Sequence, residues 1–315
     1  MDLIRTILFY AKSTFYCYIL YYINRSYDNI SPYLPENLQR KDELIPESII
    51  PLQKIDDNIK KIIQEENENG SRLYDILYVL VSTGSYSPIH KMHTEMLKVT
   101  AEFLERLPKC KVVGGYLSPC HDEYVSFKLQ DNAINAQHRI NMCELAVKDT
   151  GWMCVDKWEI NGPRLRMFSE VVIKLSEFLS QGLYKESHPD VYNNRDRIRV
   201  CFVCGSDIVM GYPYGLAFSD KIDVACVCRP SFVLKNMESR VKYNKKRGVN
   251  LYFVVDSVED HSSTKVRECI KKIEKGEGYE KNLKSGLARF CDDNIADYMV
   301  RNITTLHSNV DSNNI

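Results

Sequence analysis

Apolar residues recur along this chain with two alternating periods. Residues 74–81 (Tyr-Asp-Ile-Leu-Tyr-Val-Leu-Val) are almost continuously apolar, which predicts a buried strand. Residues 94–105 then place Met96, Leu97, Phe103 and Leu104 on or near one face, which predicts a helix. The alternation continues with a strand over 110–116 that ends in a Gly pair, and a helix over 136–148 with Ile140, Cys143, Leu145 and Ala146 on its apolar side. A short strand over 152–156 and a long amphipathic helix over 164–181 come next, then strands over 198–204, 223–228 and 250–255. Strands separated by helices need crossover connections. The expected fold is therefore α/β, a mostly parallel sheet with helices on both faces.

In an open parallel sheet the ligand lies beyond the carboxyl ends of the strands. The segments to inspect are thus 84–93, 114–121, 156–159, 205–207, 229–230 and 262–267, and they are rich in Gly, His, Asp, Trp and Arg. The first joins a strand to a helix through Gly84, Ser85, Tyr86, Ser87 and Pro88, and carries His90 and His93. Unpaired N–H groups and the helix dipole make such a turn an anion site, and two imidazoles beside it point to phosphate chemistry. The bland alternative is that both histidines only decorate a helix start.

The chain has 315 residues, 44% hydrophobic and 27% charged, the balance of a soluble globular protein. Its formal net charge of +0 gives no global field for nucleic acid, so any polyanion site must be local. Eleven cysteines in a chain this long do not read as a small disulfide scaffold, and several lie in apolar runs, which predicts a reducing compartment. Cys201 and Cys204 form a C-x-x-C, but strand alternation turns them to opposite faces, so core thiols are expected rather than zinc ligands. Residues 3–23 are apolar yet interrupted by Arg5, Lys12 and five tyrosines. They fit a packed amphipathic helix, an interfacial helix or an anchor, and no small-residue cleavage site follows. A polar stretch around Gly70 suggests an N-terminal extension over 1–70, a catalytic domain over 71–305 and a flexible tail over 306–315.

Two separated motifs carry a resemblance. Gly84-Ser-Tyr-Ser-Pro-Ile-His90-Lys-Met-His93 resembles the G-x-F-x-P-x-H-x-G-H signature of the nucleotidylyltransferase superfamily, with Met92 in place of Gly. His261-Ser-Ser-Thr-Lys-Val-Arg267 resembles its I-S-S-T-x-x-R, with His261 in place of Ile. The blocks Gly115–Tyr124, His138–Ala146, Val155–Glu159 and Cys204–Asp207 look like the eukaryotic nicotinamide/nicotinate mononucleotide adenylyltransferases, over about residues 74–303.

The resemblance implies a Rossmann-like fold and transfer of AMP from ATP to nicotinamide or nicotinate mononucleotide, with Mg²⁺ accompanying ATP and no metal held by the protein. It implies that His93, with His90 and Arg267, is catalytic. Gly84, Ser85, Tyr86, His90, His93, Ser263, Thr264 and Arg267 would bind ATP. Ser85, Lys128, Trp158, Gly205 and Asp207 would bind the mononucleotide, Trp158 by stacking on the pyridinium. The family's second tryptophan is missing, and Phe218 is its candidate substitute.

Competing expectations are a cytidylyltransferase of phospholipid synthesis and a non-catalytic nucleotide-binding relative. Expected partners are the two nucleotides and no nucleic acid. A homo-oligomer and membrane association through residues 3–23 stay open. The expected location is cytoplasmic or nuclear, or at a membrane.

Overall fold

The computed structural model describes residues 45–307, apart from 47–48, 183, 212–221, 229–236, 247, 256–261 and 275–279. Residues 3–23, Phe218 and His261, all singled out above, lie outside the described residues.

Six strands form one sheet: β1 (Ile76–Gly84), β2 (Cys110–Pro119), β3 (Met153–Val155), β4 (Ile198–Gly205), β5 (Ile222–Cys228) and β6 (Leu251–Val255). Their order is β3-β2-β1-β4-β5-β6, and each neighbouring pair is parallel. The chain builds outward from β1 to β3, then crosses back to lay β4 on the other side of β1. That reversal opens a crevice beyond the carboxyl ends of β1 and β4, the usual ligand site in such sheets.

Side-chain alternation divides the interior into two layers. Leu77, Val79 and Val81 of β1, with Val200, Phe202 and Cys204 of β4, face one core. Tyr78, Leu80, Cys201 and Val203 face the other. Cys201 and Cys204 therefore do point apart. Among the described residues no group of His, Cys, Asp and Glu stands close enough to hold a metal ion.

The first core is covered by α1 (Gln53–Asn69) and α5 (Phe168–Gln181). The second is covered by α2 (Lys91–Glu105) and α4 (Ala136–Val147), and by α9 (Ser263–Glu274), α10 (Glu280–Ala288) and α11 (Asp293–Arg301). Three short helices, α3 (Asp122–Leu129), α6 (Pro189–Asn193) and α7 (Ser206–Gly211), a 3-10 turn over Gln130–Asn132 and a helix α8 (Met237–Lys245) complete the described elements. None of the described helices is long and apolar enough to cross a membrane.

The structure moves several expected boundaries. Helix α1, expected inside a separate extension, buries Ile55, Ile59 and Ile62 in the first core. A Cβ at Gly114 would lie 2.4 Å from Ile55 Cγ1, so only glycine lets α1 approach β2 this closely. One at Gly115 would lie 2.7 Å from Trp152. The Gly pair thus sits inside β2, which runs on to Pro119, rather than ending it.

Gly70 stops α1 in a left-handed cap at φ 65°. Upstream of α1, Ile45 is buried in the same core. At the other end Leu306 is fully buried and its carbonyl accepts the Asn135 N–H, so the described chain is packed beyond the expected tail boundary. Helix α5 starts at Phe168, four residues late, because residues 164–167 run irregularly and send Arg164 and Arg166 to Glu170.

A buried ion pair anchors the amino end of the sheet. Asp223 accepts two hydrogen bonds from Arg199, at 2.6 and 2.7 Å, and one from Tyr78 Oη at 2.9 Å. Burial and this carboxylate push the Tyr78 phenol far up. The anchor lies at the end opposite the crevice and reads as structural.

Removing residues 1–70 strips α1 from the sheet and leaves the β2 face bare, so that chain should fail to fold, as seen by loss of cooperative urea unfolding. The point variant Ile59→Ala should cost about 2–5 kcal/mol. A fully stable 71–315 fragment would show that α1 is dispensable.

Candidate active site

The turn after β1 is built from its own residues inward. Tyr86 takes a left-handed backbone (φ 42°) and folds its ring beneath the loop, where its hydroxyl donates to the Ser82 carbonyl at 2.8 Å. A Cβ at Gly84 would meet that ring at 3.1 Å. The Tyr86 side chain, expected among ATP contacts, is buried in the second core, which leaves its backbone alone to face a ligand. Burial drives its phenol well above the ordinary range. Ser85 Oγ is buried with no hydrogen-bond partner among the described residues.

The two histidines open α2 as a stacked pair, ring centroids 3.8 Å apart and 25° from parallel. Tyr86 meets His93 edge-on at 4.8 Å. The His90 backbone N–H donates to His93 Nδ1 at 3.1 Å. With Nδ1 accepting, the neutral His93 ring carries its proton on Nε2, so it presents a donor there. His90 is 6% exposed, and its place at the helix cap puts it behind its partner.

The second motif arrives on α9 and grips this turn directly. Ser263 Oγ donates to the Pro88 carbonyl at 3.1 Å, and Arg267 Nη1 donates to the Ser87 carbonyl at 2.9 Å. Arg267 Nη2 also donates to Thr264 Oγ1 at 3.0 Å. Desolvation lowers the Arg267 pKa, with Glu268 acting against the shift. Residues far apart in sequence thus form one cluster of hydroxyl, imidazole and guanidinium donors. Donors of these kinds suit a polyanion. Among the described residues no group of carboxylates stands with them to hold a metal ion.

The remaining expected residues stand at neighbouring strand ends. Lys128 lies on α3, 5.4 Å over the Tyr124 ring. Gly205 closes β4 and Asp207 is exposed in the first turn of α7. Trp158 follows β3 but is only 5% exposed, and the Arg166 guanidinium lies 4.0 Å over its ring. The face expected to take the pyridinium is therefore covered by a cation of the chain itself.

The chain matches the cytidylyltransferase-like family model over residues 81–269, more than half its length. It is 31% identical over 205 residues to the nicotinamide/nicotinic acid mononucleotide adenylyltransferase of Oryza sativa subsp. japonica, covering 62% of this chain and 76% of that protein. It belongs to this family. The Arabidopsis thaliana member is 26% identical over 203 residues, covering 62% and 80%. Among solved structures, the Plasmodium falciparum nicotinic acid mononucleotide adenylyltransferase complexed with APC overlays with a TM-score of 0.43 at 16% identity, over 71% of this chain and 94% of that one.

Sequence patterns missed what holds this adenylyltransferase-family turn in place. Arg139 is fully buried and donates to the Ser85 carbonyl at 2.9 Å, the Ile134 carbonyl at 3.0 Å and Asp122 Oδ1 at 2.6 Å. Ser87 Oγ accepts the Ile134 N–H at 2.9 Å. An Arg on the apolar side of a predicted helix was the available signal; its partners come from other elements and leave no local trace.

Two carboxyls at the end of β3 were also missed. Asp156 accepts the Trp158 N–H and Ser118 Oγ, each at 2.8 Å. Glu159 accepts the His121 N–H at 3.3 Å through Oε1, while Oε2 has no geometric hydrogen-bond partner among the described residues, the Cys120 thiol being its polar neighbour. Burial raises both, and carries Glu159 to about 8.

Unfolded glutamate ionises near 4.5, whereas folded Glu159 keeps its proton to about 8. Across that window the unfolded state loses the proton first, so this group makes stability fall as pH rises. Urea midpoints between about pH 5 and pH 8 should fall less in Glu159→Gln than in the parent chain. Parallel curves would show that Glu159 ionises normally.

Proposed function

We propose that this chain transfers the adenylyl group of ATP to nicotinamide or nicotinate mononucleotide, releasing pyrophosphate. The observation that carries this reading is the closure of α9 on the β1–α2 turn, which gathers His93, Ser263, Thr264 and Arg267 at the crevice. Family membership supplies the acceptor.

Placed there, the triphosphate meets the Arg267 fork, which suits phosphate oxygens. A 5′-phosphate oxygen of the mononucleotide attacks the α-phosphorus as the bond to the pyrophosphate oxygen breaks. Charge builds on the α-phosphate oxygens, where the His93 Nε2–H is a fixed donor, and donors aimed at developing charge lower such barriers most. Ser263, Thr264 and Arg267 hold the β- and γ-phosphates. The attacking phosphate is already ionised near neutral pH, so no side chain must remove a proton. Mg²⁺ enters with ATP as part of the substrate, where it offsets the triphosphate charge.

Lys128 and Asp207 are assigned to the mononucleotide side, Lys128 as a cation for its phosphate and Asp207 as an acceptor for ribose hydroxyls. Gly205, which no side chain among the described residues crowds, leaves room for the ribose. His90 supports the ring of His93.

Purified protein incubated with ATP, Mg²⁺ and either mononucleotide should form the corresponding dinucleotide and pyrophosphate. The variant His93→Ala should lower kcat by roughly 10²–10³-fold. Activity confined to CTP with a phospho-alcohol would replace this reading with the cytidylyltransferase one, and an unchanged kcat in the variant would remove His93 from the reaction.

A further inference from the structure

Glu159 is a buried acid that the proposed chemistry does not use. It stands four residues beyond β3, in the turn before Gly162, and is 1% exposed. Its carbonyl accepts the Gly162 N–H at 3.1 Å, which fixes the backbone beneath the side chain. Oε1 accepts the His121 N–H, and Oε2 lies beside the Cys120 thiol. The ionisable groups around it come from several elements: Asp156 from the same turn, Cys120 and His121 from the end of β2, Arg139 from α4 and Tyr86 from the β1–α2 turn. Burial pushes the Cys120 thiol and the Tyr86 phenol up, so both face Glu159 uncharged.

The corner that Glu159 holds leads straight to the turn after β1. His121 is the N-cap of α3, and Asp122 opens that helix, which also carries Lys128. The neighbouring Cys120 N–H donates to the Gly84 carbonyl at 2.9 Å, which ties the corner to the end of β1. Asp122 Oδ2 accepts the Ala136 N–H at 3.1 Å, and its Oδ1 accepts from Arg139 Nη2 at 2.6 Å. Arg139 Nη1 in turn holds the Ser85 carbonyl at 2.9 Å. One run of contacts thus joins Glu159 to the turn that bears His90 and His93.

We propose that Glu159 is a positioning residue for adenylyl transfer: its carboxyl fixes the His121–Asp122 corner and, through Asp122 and Arg139, the Ser85 carbonyl of the turn that presents His93. This rests on the adenylyltransferase reading above. The carboxyl does this as a neutral acid, since burial and Asp156 oppose its charge and carry its ionisation to about 8. An ionised Glu159 attracts Arg139. The guanidinium then has a second carboxylate beside it, besides Asp122. The bond it gives up first is the one to the neutral Ser85 carbonyl, because bonds between two charged groups are the stronger. Losing that bond frees the turn, and His93 with it.

The test is the pH profile of kcat for the full chain, from about pH 7 to about pH 9.5, at saturating Mg²⁺–ATP and mononucleotide. Parent kcat should be halved near the Glu159 midpoint, at about 8, and be about 10-fold lower one unit above it. Glu159→Gln keeps an acceptor for the His121 N–H and cannot ionise. It should retain kcat within about 3-fold of the parent near neutral pH and hold that value across the range. Glu159→Ala leaves the buried N–H unpaired and should lower kcat by about 10-fold at every pH, with no alkaline fall.

A flat parent profile overturns the proposal, and so does a Glu159→Gln variant that keeps the alkaline fall. An alkaline fall that tracks loss of near-ultraviolet circular dichroism is unfolding, and overturns it too. A Glu159→Gln variant as slow as Glu159→Ala shows that the N–H contact does not position the turn. Where Glu159→Ala does not fold, the parent and Glu159→Gln profiles decide the matter by themselves. Dinucleotide formation from neither mononucleotide near neutral pH would instead defeat the adenylyltransferase reading, and the role of Glu159 with it.

Discussion

Two guanidinium groups hold the backbone of one turn, and the candidate site depends on that grip. Arg139, from α4, takes the carbonyl of Ser85; Arg267, from α9, takes the carbonyl of Ser87. A turn between a strand and a helix leaves several peptide groups without partners, and buried ones are costly unless satisfied. Here the carbonyls are satisfied from outside by charged donors, worth more than neutral ones. The carbonyls are thereby drawn back into the protein. The same loop keeps Tyr86 folded under it and His93 oriented through Nδ1.

The rest of the structure supplies those two cations at the right height. Arg139 is fully buried because Asp122 and two carbonyls surround it, an arrangement that neutralises a charge the core would otherwise reject. Arg267 comes from a helix whose buried Val266 and Ile270 seat it on the second core layer. The Lys91 N–H donates to the Phe290 carbonyl, and its ammonium to that of Ala288, so the link after α10 also closes on the start of α2. The geometry of the turn is in this sense a product of helix packing on one face of the sheet. On the other face, where α1 and α5 lie, Trp158 and Phe168 pack into the first core layer.

Much of this was legible in the order of residues. All six strands were visible as short apolar runs, because a parallel sheet covered on both faces makes nearly every strand position apolar. The turn after β1 was visible because its Gly, Pro and His residues are neighbours in the chain. Less legible were features whose meaning is a contact. The Gly pair of β2 looks like a strand end, yet Gly114 is where α1 comes closest. Trp158 looks like an open stacking face, yet Arg166 covers it from eight positions away, through a segment whose amphipathic pattern reads as helix but is not. The polar run around Gly70 looks like a domain boundary because a helix terminus and a linker use the same residues.

By itself, the sequence determined the α/β class, the sequential positions of the strands and the two donor motifs, since each is a local pattern of period or neighbouring chemistry. Tertiary structure alone decided that the motifs meet, because the approach of α9 to the β1–α2 turn is set by burial of apolar faces on a common sheet. It also decided which polar groups are spent inside the protein and which remain for a ligand. Among the described residues Ser85 Oγ and Glu159 Oε2 are buried without hydrogen-bond partners, while the carbonyls of Ser85 and Ser87 are taken. Hydrogen bonds act over a few ångströms of space, whatever the distance along the chain, and no pattern of residues records where they close.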